Sequence, residues 1–279
     1  MNKIGILIRF EKELSKKLNF KERFEEAMSL GIESCQICFP EGIGYTDEVA
    51  EKINDARRAT GIEISLLWAG WSGRNIWNFT EGPDTLGIVP REFRDIRIKE
   101  LKAASVFAEK IGVSDIATHA GFLPENPSDP EYEAIVLALR ELCLVYKSRG
   151  QNFLFETGQE TPVTLLRTIE KIGTGNVFIN FDTANLILYG KANSADAVRV
   201  FGKYVRNTHI KDGLYPTDPM KLGDEVKIGN GLADFPLILK LLSECGYTGP
   251  LTIEREIEGE EQTRDIIDAV KYLKEIAKK

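Results

Sequence analysis

The feature that most constrains the fold is an alternation of short β-type runs with longer amphipathic segments, repeated eight times along the chain. The first run is Ile4-Gly5-Ile6-Leu7-Ile8, and others follow at 34–39, 63–68, 115–119, 152–156, 177–182, 205–210 and 251–254. Between them apolar residues recur at helical spacing, as at Ile96, Leu101, Ala104, Ala108 and Ile111. Asp234 before Phe235-Pro236 and Thr161 before Pro162 predict helix starts. Gly31, Gly112, Gly150, Gly173 and Gly246 stand where helix stops are expected. No linker or low-complexity stretch interrupts the rhythm, no nucleotide-type Gly-rich loop follows the first run, and no repeat of solenoid length occurs. The pattern predicts the α/β class and a single (β/α)8 TIM barrel over residues 1–279, rather than an open doubly wound sheet.

Several runs end on residues that bind metals or move protons. His119 closes the run at 115–119, Glu156 the run at 152–156, Asp182 the run at 177–182, His209 falls in 205–210, and Glu254 closes 251–254. In a barrel, chemistry sits at the C-terminal ends of the strands, so these five consecutive ends converge on one half of the mouth. The competing account is that the carboxylates pair with barrel lysines or arginines.

Charge and composition remove other classes. A net charge of -7 argues against nucleic acid, an acidic membrane surface or a polyanion as the main partner. No apolar stretch is long enough to span a bilayer and the chain start does not resemble a signal peptide, so the cytoplasm is the expected compartment. Four cysteines in 279 residues make no disulfide framework. Cys35 and Cys38 form a CxxC, read either as a redox pair or half a zinc site, or as small buried residues. Three positions apart on a strand they point to opposite faces and cannot share a metal, which favours burial.

Glu156, Asp182, His209 and Glu254 together would supply three carboxylates and one imidazole. That oxygen-rich set suits one divalent ion, Mn²⁺ first, with Mg²⁺, Co²⁺ or Zn²⁺ as alternatives. Such an ion can polarise a carbonyl and stabilise the enediolate left by proton removal at the neighbouring carbon. A carboxylate on each side of that carbon would meet the requirement of epimerisation.

The segments Phe155-Glu156-Thr157-Gly158-Gln159-Glu160, Phe181-Asp182-Thr183-Ala184-Asn185, His209-Ile210-Lys211-Asp212 and Ile253-Glu254-Arg255-Glu256 resemble the sugar phosphate isomerase/epimerase family of xylose isomerase-like barrels. Thr118-His119-Ala120-Gly121-Phe122-Leu123-Pro124 and the stretch 229–235 look like further signatures, so the likeness covers nearly the whole chain. It implies that Glu156, Asp182, His209 and Glu254 bind one divalent metal, and that Glu156 and Glu254 are also the two acid/base groups. Ketose 3-epimerases of the family carry a histidine three residues after the metal-binding aspartate and an arginine shortly after the metal-binding histidine. This chain has Asn185 and Pro216 there, which argues against a plain ketose 3-epimerase. With only two histidines, the zinc-cluster endonuclease members are a poor match.

The expected function is therefore a metal-dependent isomerase or epimerase of a small polyhydroxylated carbonyl compound. A lyase or dehydratase on a keto-sugar or keto-inositol, and a non-catalytic sugar-binding protein or partner subunit, are the alternatives. Whether the chain works alone or as a homo-oligomer stays open. Asn185, at the family's histidine position, is a candidate substrate contact, and His119 is either a substrate contact or a satisfied core histidine. Lys211 either points into the mouth or forms a surface salt bridge, and Glu160 either orients a substrate hydroxyl or favours the helix start at Thr161. Trp68 and Trp71 are expected to flank a sugar ring, and Trp77 to belong to the loop core or a subunit contact. The stretch 212–232 is long for a barrel loop and reads as a lid, with Gly229-Asn230-Gly231 at a place where barrels often hold phosphate.

Overall fold

The computed structural model of the protein describes residues 2–10, 19–42 and 44–276. Eight parallel strands close into a barrel in sequential order: Ile4–Arg9, Ser34–Phe39, Glu63–Ala69, Asp115–Thr118, Asn152–Glu156, Val177–Asp182, Val205–Ile210 and Leu251–Ile253. The alternation read from the sequence is thus the (β/α) barrel itself. His119 and Glu254 lie one residue beyond their strands, at the C-terminal rim.

The helices begin and end for local reasons. Asp234 accepts a hydrogen bond from the Leu237 amide at 3.1 Å and caps Phe235–Glu244. Pro162 opens the helix Pro162–Ile172, and Gly173 closes it in the left-handed region at φ 65°. Leu165, Ile169 and Ile172 recur on one face of that helix and are buried. Each such burial contributes about 1.5–3 kcal/mol. In the helix Arg91–Lys110 the expected stripe shifts by one position: Ile96 is half exposed and Arg97 is fully buried instead. The Arg97 guanidinium donates to the carbonyls of Ser72, Arg74, Thr85 and Gly87 and lies 4.4 Å from the Trp71 ring centre. A long side chain with an acceptor for each of its guanidinium nitrogens can be buried where an alkyl chain was expected, and here it pins the loop after the third strand.

Two packing regions result. The larger core fills the space between strands and helices and includes Cys35; the smaller lies inside the barrel and joins Cys38 to Leu66, Trp68, Ala117 and Leu154. The two cysteines therefore face opposite sides of the second strand, as period-2 alternation requires, and form neither a redox pair nor a metal half-site. The loops after the second and third strands touch so closely that a Cβ at Gly70 would lie 1.8 Å from the Pro40 carbonyl oxygen.

Candidate active site

Strand register brings the rim residues together. Asp182 pairs with His209 across the sixth and seventh strands, Glu156 pairs with Asn180 one layer below Asp182, and Thr252 pairs with His209 from the eighth strand. Residues in register share a face, so Glu156, Asp182 and His209 point inward. Glu254 joins them just past its strand, and all four ligand-type atoms lie within 4.8 Å of one another. All four residues are buried.

The atoms of this cluster are spaced as a coordination sphere would require. His209 Nδ1 is 2.8 Å from Glu156 Oε1, 3.2 Å from Glu254 Oε2 and 4.0 Å from Asp182 Oδ2. Yet Nδ1 and Asp182 Oδ2 are buried atoms without a hydrogen-bond partner. The outward oxygens are committed elsewhere: Asp182 Oδ1 accepts from the amides of Ala184 and Asn185, both at 2.7 Å, and Glu156 Oε2 accepts from Asn180 Nδ2. Three carboxylate oxygens and one imidazole nitrogen with lone pairs turned to a common point fit a divalent cation.

Protonation preferences agree with that reading. Burial drives the Asp182 carboxyl well above its usual range, with Lys211 opposing and the Glu254 and Glu156 charges adding repulsion. Burial also disfavours a charged His209, but Glu156 and Glu254 outweigh it and hold the imidazolium well above the ordinary range. Crowded anions that recruit protons in this way are what a cation would satisfy.

Lys211 is buried and enters the mouth, so the surface salt bridge is ruled out. Its Nζ lies 2.9 Å from Glu256 Oε2, 3.4 Å from Glu254 Oε2, 3.7 Å from Asp182 Oδ2 and 3.2 Å from Asn185 Oδ1. Burial opposes its charge, but Glu254, Glu256 and Asp182 keep it protonated well beyond the usual lysine range. Lys211 and His209 in turn hold Glu254 ionised against its own burial. Arg9 closes the group, donating to Glu254 Oε1 at 3.1 Å and Glu256 Oε1 at 2.8 Å.

Above the cluster opens a cavity of about 320 Å³. Glu156, Glu254, Lys211, Asn185 and His119 line it, with Trp68, Trp71 and Trp77 along one side. His119 meets Trp68 and Trp77 edge-on, its Nδ1 has no partner, and burial pushes its pKa down to about 4, so it is neutral. Trp71 is the most fixed of the three indoles, donating to Thr118 Oγ1 at 3.0 Å. Trp77, expected in the loop core, instead stacks on Trp71 with centroids 6.0 Å apart and lines the cavity. Glu160 does not line the cavity. It is buried behind it, where its Oε1 accepts from the Gly158 amide at 3.4 Å, and burial pushes its carboxyl up to about 8.

The stretch 212–232 is tied down at its base. Asp212 and Gly213 pair antiparallel with Val226 and Glu225. The Asp212 carboxylate accepts from the amides of Gly229, Gly231 and Ala233, so it fills the place where a phosphate was anticipated. A Cβ at Gly231 would lie 2.2 Å from Asp212 Oδ1. Glu225 accepts from the Glu256 amide and pairs with Arg255 at 3.0 Å, fastening this stretch to the eighth strand end.

Four residues lie outside the sequence reading: Arg9, Glu256 and Gln36, and Gln159, which lines the cavity. Glu256 follows Glu254 at a same-face spacing. Gln36 is a polar residue in the middle of an otherwise buried strand, a signal in itself. Its Oε1 lies 2.8 Å from His209 Nε2.

With this geometry in hand, comparison with known proteins is decisive for the family. The sequence profile of the xylose isomerase-like TIM barrel family matches residues 24–276. The chain belongs to this family. A crystal structure of a xylose isomerase domain protein from Planctomyces limnophilus superposes with a TM-score of 0.90 at 34% identity, covering 99% of this chain and 98% of that one. The 3-keto-D-glucoside 4-epimerase of E. coli superposes with a TM-score of 0.73 at 18% identity, over 98% of this chain and 99% of that one, a likeness of fold alone. Inosose dehydratase from Serratia proteamaculans (strain 568) is 26% identical over 160 residues, 50% of this chain and 53% of its own. The chain spans about half the length of such curated relatives. Among the described residues no helix of this xylose isomerase-like barrel is long and apolar enough to cross a membrane.

Proposed function

We propose that this barrel is a divalent-metal-dependent isomerase or epimerase of a small sugar or keto-sugar, acting by proton abstraction beside a carbonyl through an enediolate. One observation carries the reading: of the four clustered residues, Glu156 and Glu254 line the cavity, whereas Asp182 and His209 do not. Two of the four thus reach both a metal position and a bound substrate, from different strands. A bound divalent ion, Mn²⁺ by first expectation, supplies Lewis acidity toward a carbonyl and its neighbouring hydroxyl.

The chain's own residues do the rest. Glu254, held ionised by Lys211 and His209, takes the proton from carbon, and the C–H electron pair moves into the enediolate. Glu156 relays a proton from solvent to the other face and restores the carbonyl, inverting the centre, while the proton taken by Glu254 is released to solvent. The Lys211 ammonium faces the developing oxyanion. Neutral His119 offers its free Nδ1 to a substrate hydroxyl, and the tryptophans pack on the apolar face of the sugar and exclude water.

A dehydratase is the second reading, favoured by Lys211 Nζ standing 3.4 Å from Glu254 Oε2, an acid beside the base. In that case Lys211 protonates a departing hydroxyl after the same abstraction. The test is solvent deuterium exchange followed by NMR, with the metal-loaded protein and a panel of ketoses, keto-glycosides, keto-inositols and their phosphates. Uptake of deuterium beside a carbonyl with inversion is expected; loss of water would identify the dehydratase. Sugar binding without exchange in any panel member would sink both readings in favour of a non-catalytic sugar-binding role.

A further inference from the structure

Beneath the four clustered side chains the barrel interior holds an unbroken run of side-chain amides. His209 Nε2 meets Gln36 Oε1 at 2.8 Å, Gln36 Nε2 donates to Asn180 Oδ1 at 3.1 Å, and Asn180 Nδ2 donates to Glu156 Oε2. The direction of every bond is set by the neighbours. Glu156 Oε2 accepts from Asn180, so Asn180 turns its NH₂ toward it and its oxygen toward the Gln36 amide. Gln36 Nε2 is further surrounded by Asn207 Oδ1 and the Thr208 carbonyl oxygen, both at 3.2 Å, and by Thr252 Oγ1 at 3.4 Å. Flipping that amide would set its oxygen against the Thr208 carbonyl and the amide oxygens of Asn180 and Asn207, none of which can donate. The Gln36 oxygen is therefore left for His209, which must donate from Nε2.

We propose that Gln36 is a positioning residue that locks His209 in the Nε2–H tautomer, leaving the Nδ1 lone pair for the metal. Through Asn180 the same amide occupies Glu156 Oε2, so that Oε1 is the oxygen turned to the metal. One side chain on the second strand thus orients two ligands on the seventh and fifth. The inference rests on the metal reading of the cluster but not on turnover, because it concerns ligand orientation alone.

The chain has only two histidines, which makes the test direct. Protein labelled with ¹⁵N-histidine is loaded with diamagnetic Zn²⁺, and long-range ¹H–¹⁵N spectra report which ring nitrogen of His209 carries the proton. Mn²⁺ affinity is measured in parallel from the EPR signal of the free ion. In the wild type Nε2 is protonated and Nδ1 is not. Gln36→Met, similar in volume, loses the single tautomer and binds Mn²⁺ about 10–100-fold more weakly. Gln36→Glu keeps an acceptor for Nε2–H, and so keeps the tautomer while losing the bond to Asn180. Protonated Nδ1 in the Zn²⁺-loaded wild type, loss of the tautomer in Gln36→Glu, or a folded Gln36→Met with unchanged tautomer and affinity would each overturn the proposal. A wild type that binds neither ion would overturn the metal reading of the function along with it; a wild type that binds both ions but exchanges no substrate proton would sink the function and leave the relay standing.

Discussion

The mouth of this barrel has two unlike halves. The half built by the fifth to eighth strands is charged, and its side chains leave the strands or their immediate ends: Glu156, Asp182, His209, Lys211 and Glu254. The half opposite is aromatic, and its side chains come from the end of the third strand and the loop that follows: Trp68, Trp71 and Trp77. The first half is positioned by backbone ladders, whose register allows little adjustment. The second is positioned by side-chain contacts, chiefly the Arg97 guanidinium under Trp71 and the hydrogen bond from Trp71 to Thr118. Rigid ladders suit groups that must hold an ion and a reacting carbon to a fraction of an ångström, and an aromatic wall suits shape recognition.

The sharpest way to break the comparison is in the charged half. Glu254→Gln is expected to lower the solvent-exchange rate by about 10²–10⁴-fold in a protein that still folds, read by deuterium uptake into substrate. Chelation of the metal should abolish exchange in the wild type, and re-addition should restore it. A variant that kept full exchange would move the chemistry away from the charged half altogether.

Next in size is the support of that half. Asp212→Ala strands four amide donors, at Gly213, Gly229, Gly231 and Ala233, and is expected to cost on the order of 3 kcal/mol in a denaturant titration. Glu160→Gln should act in the other direction. The folded-state pKa of Glu160 is raised to about 8 by burial, above its unfolded value, so the penalty for ionising it is absent at low pH and grows as pH rises toward 8. The variant should match the wild type near pH 4 and exceed it by roughly 2–4 kcal/mol at pH 7. Equal unfolding midpoints for variant and wild type at both pH values would mean that burial does not raise the Glu160 carboxyl.

The smallest effect is predicted in the aromatic half. Trp77→Ala removes a partly exposed ring and should raise KM roughly 3–10-fold with little change in kcat. A loss confined to kcat would mean that the aromatic wall orients the reacting carbon and not merely the sugar ring.

The two halves also differ in how far they could be read from the chain. The charged half was legible because metal-binding residue types recur at the ends of apolar runs, and strand ends are local features. The aromatic half was legible only as a cluster of tryptophans: which ring faces the cavity depends on Arg97, whose burial no helical periodicity announces, and Trp77 was placed in the loop core instead. For Lys211 and Glu160 the sequence leaves two readings open, since the direction of a side chain next to a strand end depends on what it meets across the mouth. Gln36 passed unnoticed, although a polar residue in a buried strand requires a partner.

By itself the sequence determined the alternation of strands and helices, the helix boundaries at Asp234, Pro162 and the glycines, the opposed faces of Cys35 and Cys38, and the residue types at the barrel rim. These follow from side-chain periodicity and turn chemistry, which act over a few residues. Only the tertiary structure decided that Lys211 turns inward, that Asp212 fills the Gly229–Gly231 amides, and that Gln36 meets His209. The last two side chains lie 173 residues apart in the chain, and no local rule orients an amide toward a partner that barrel closure alone supplies.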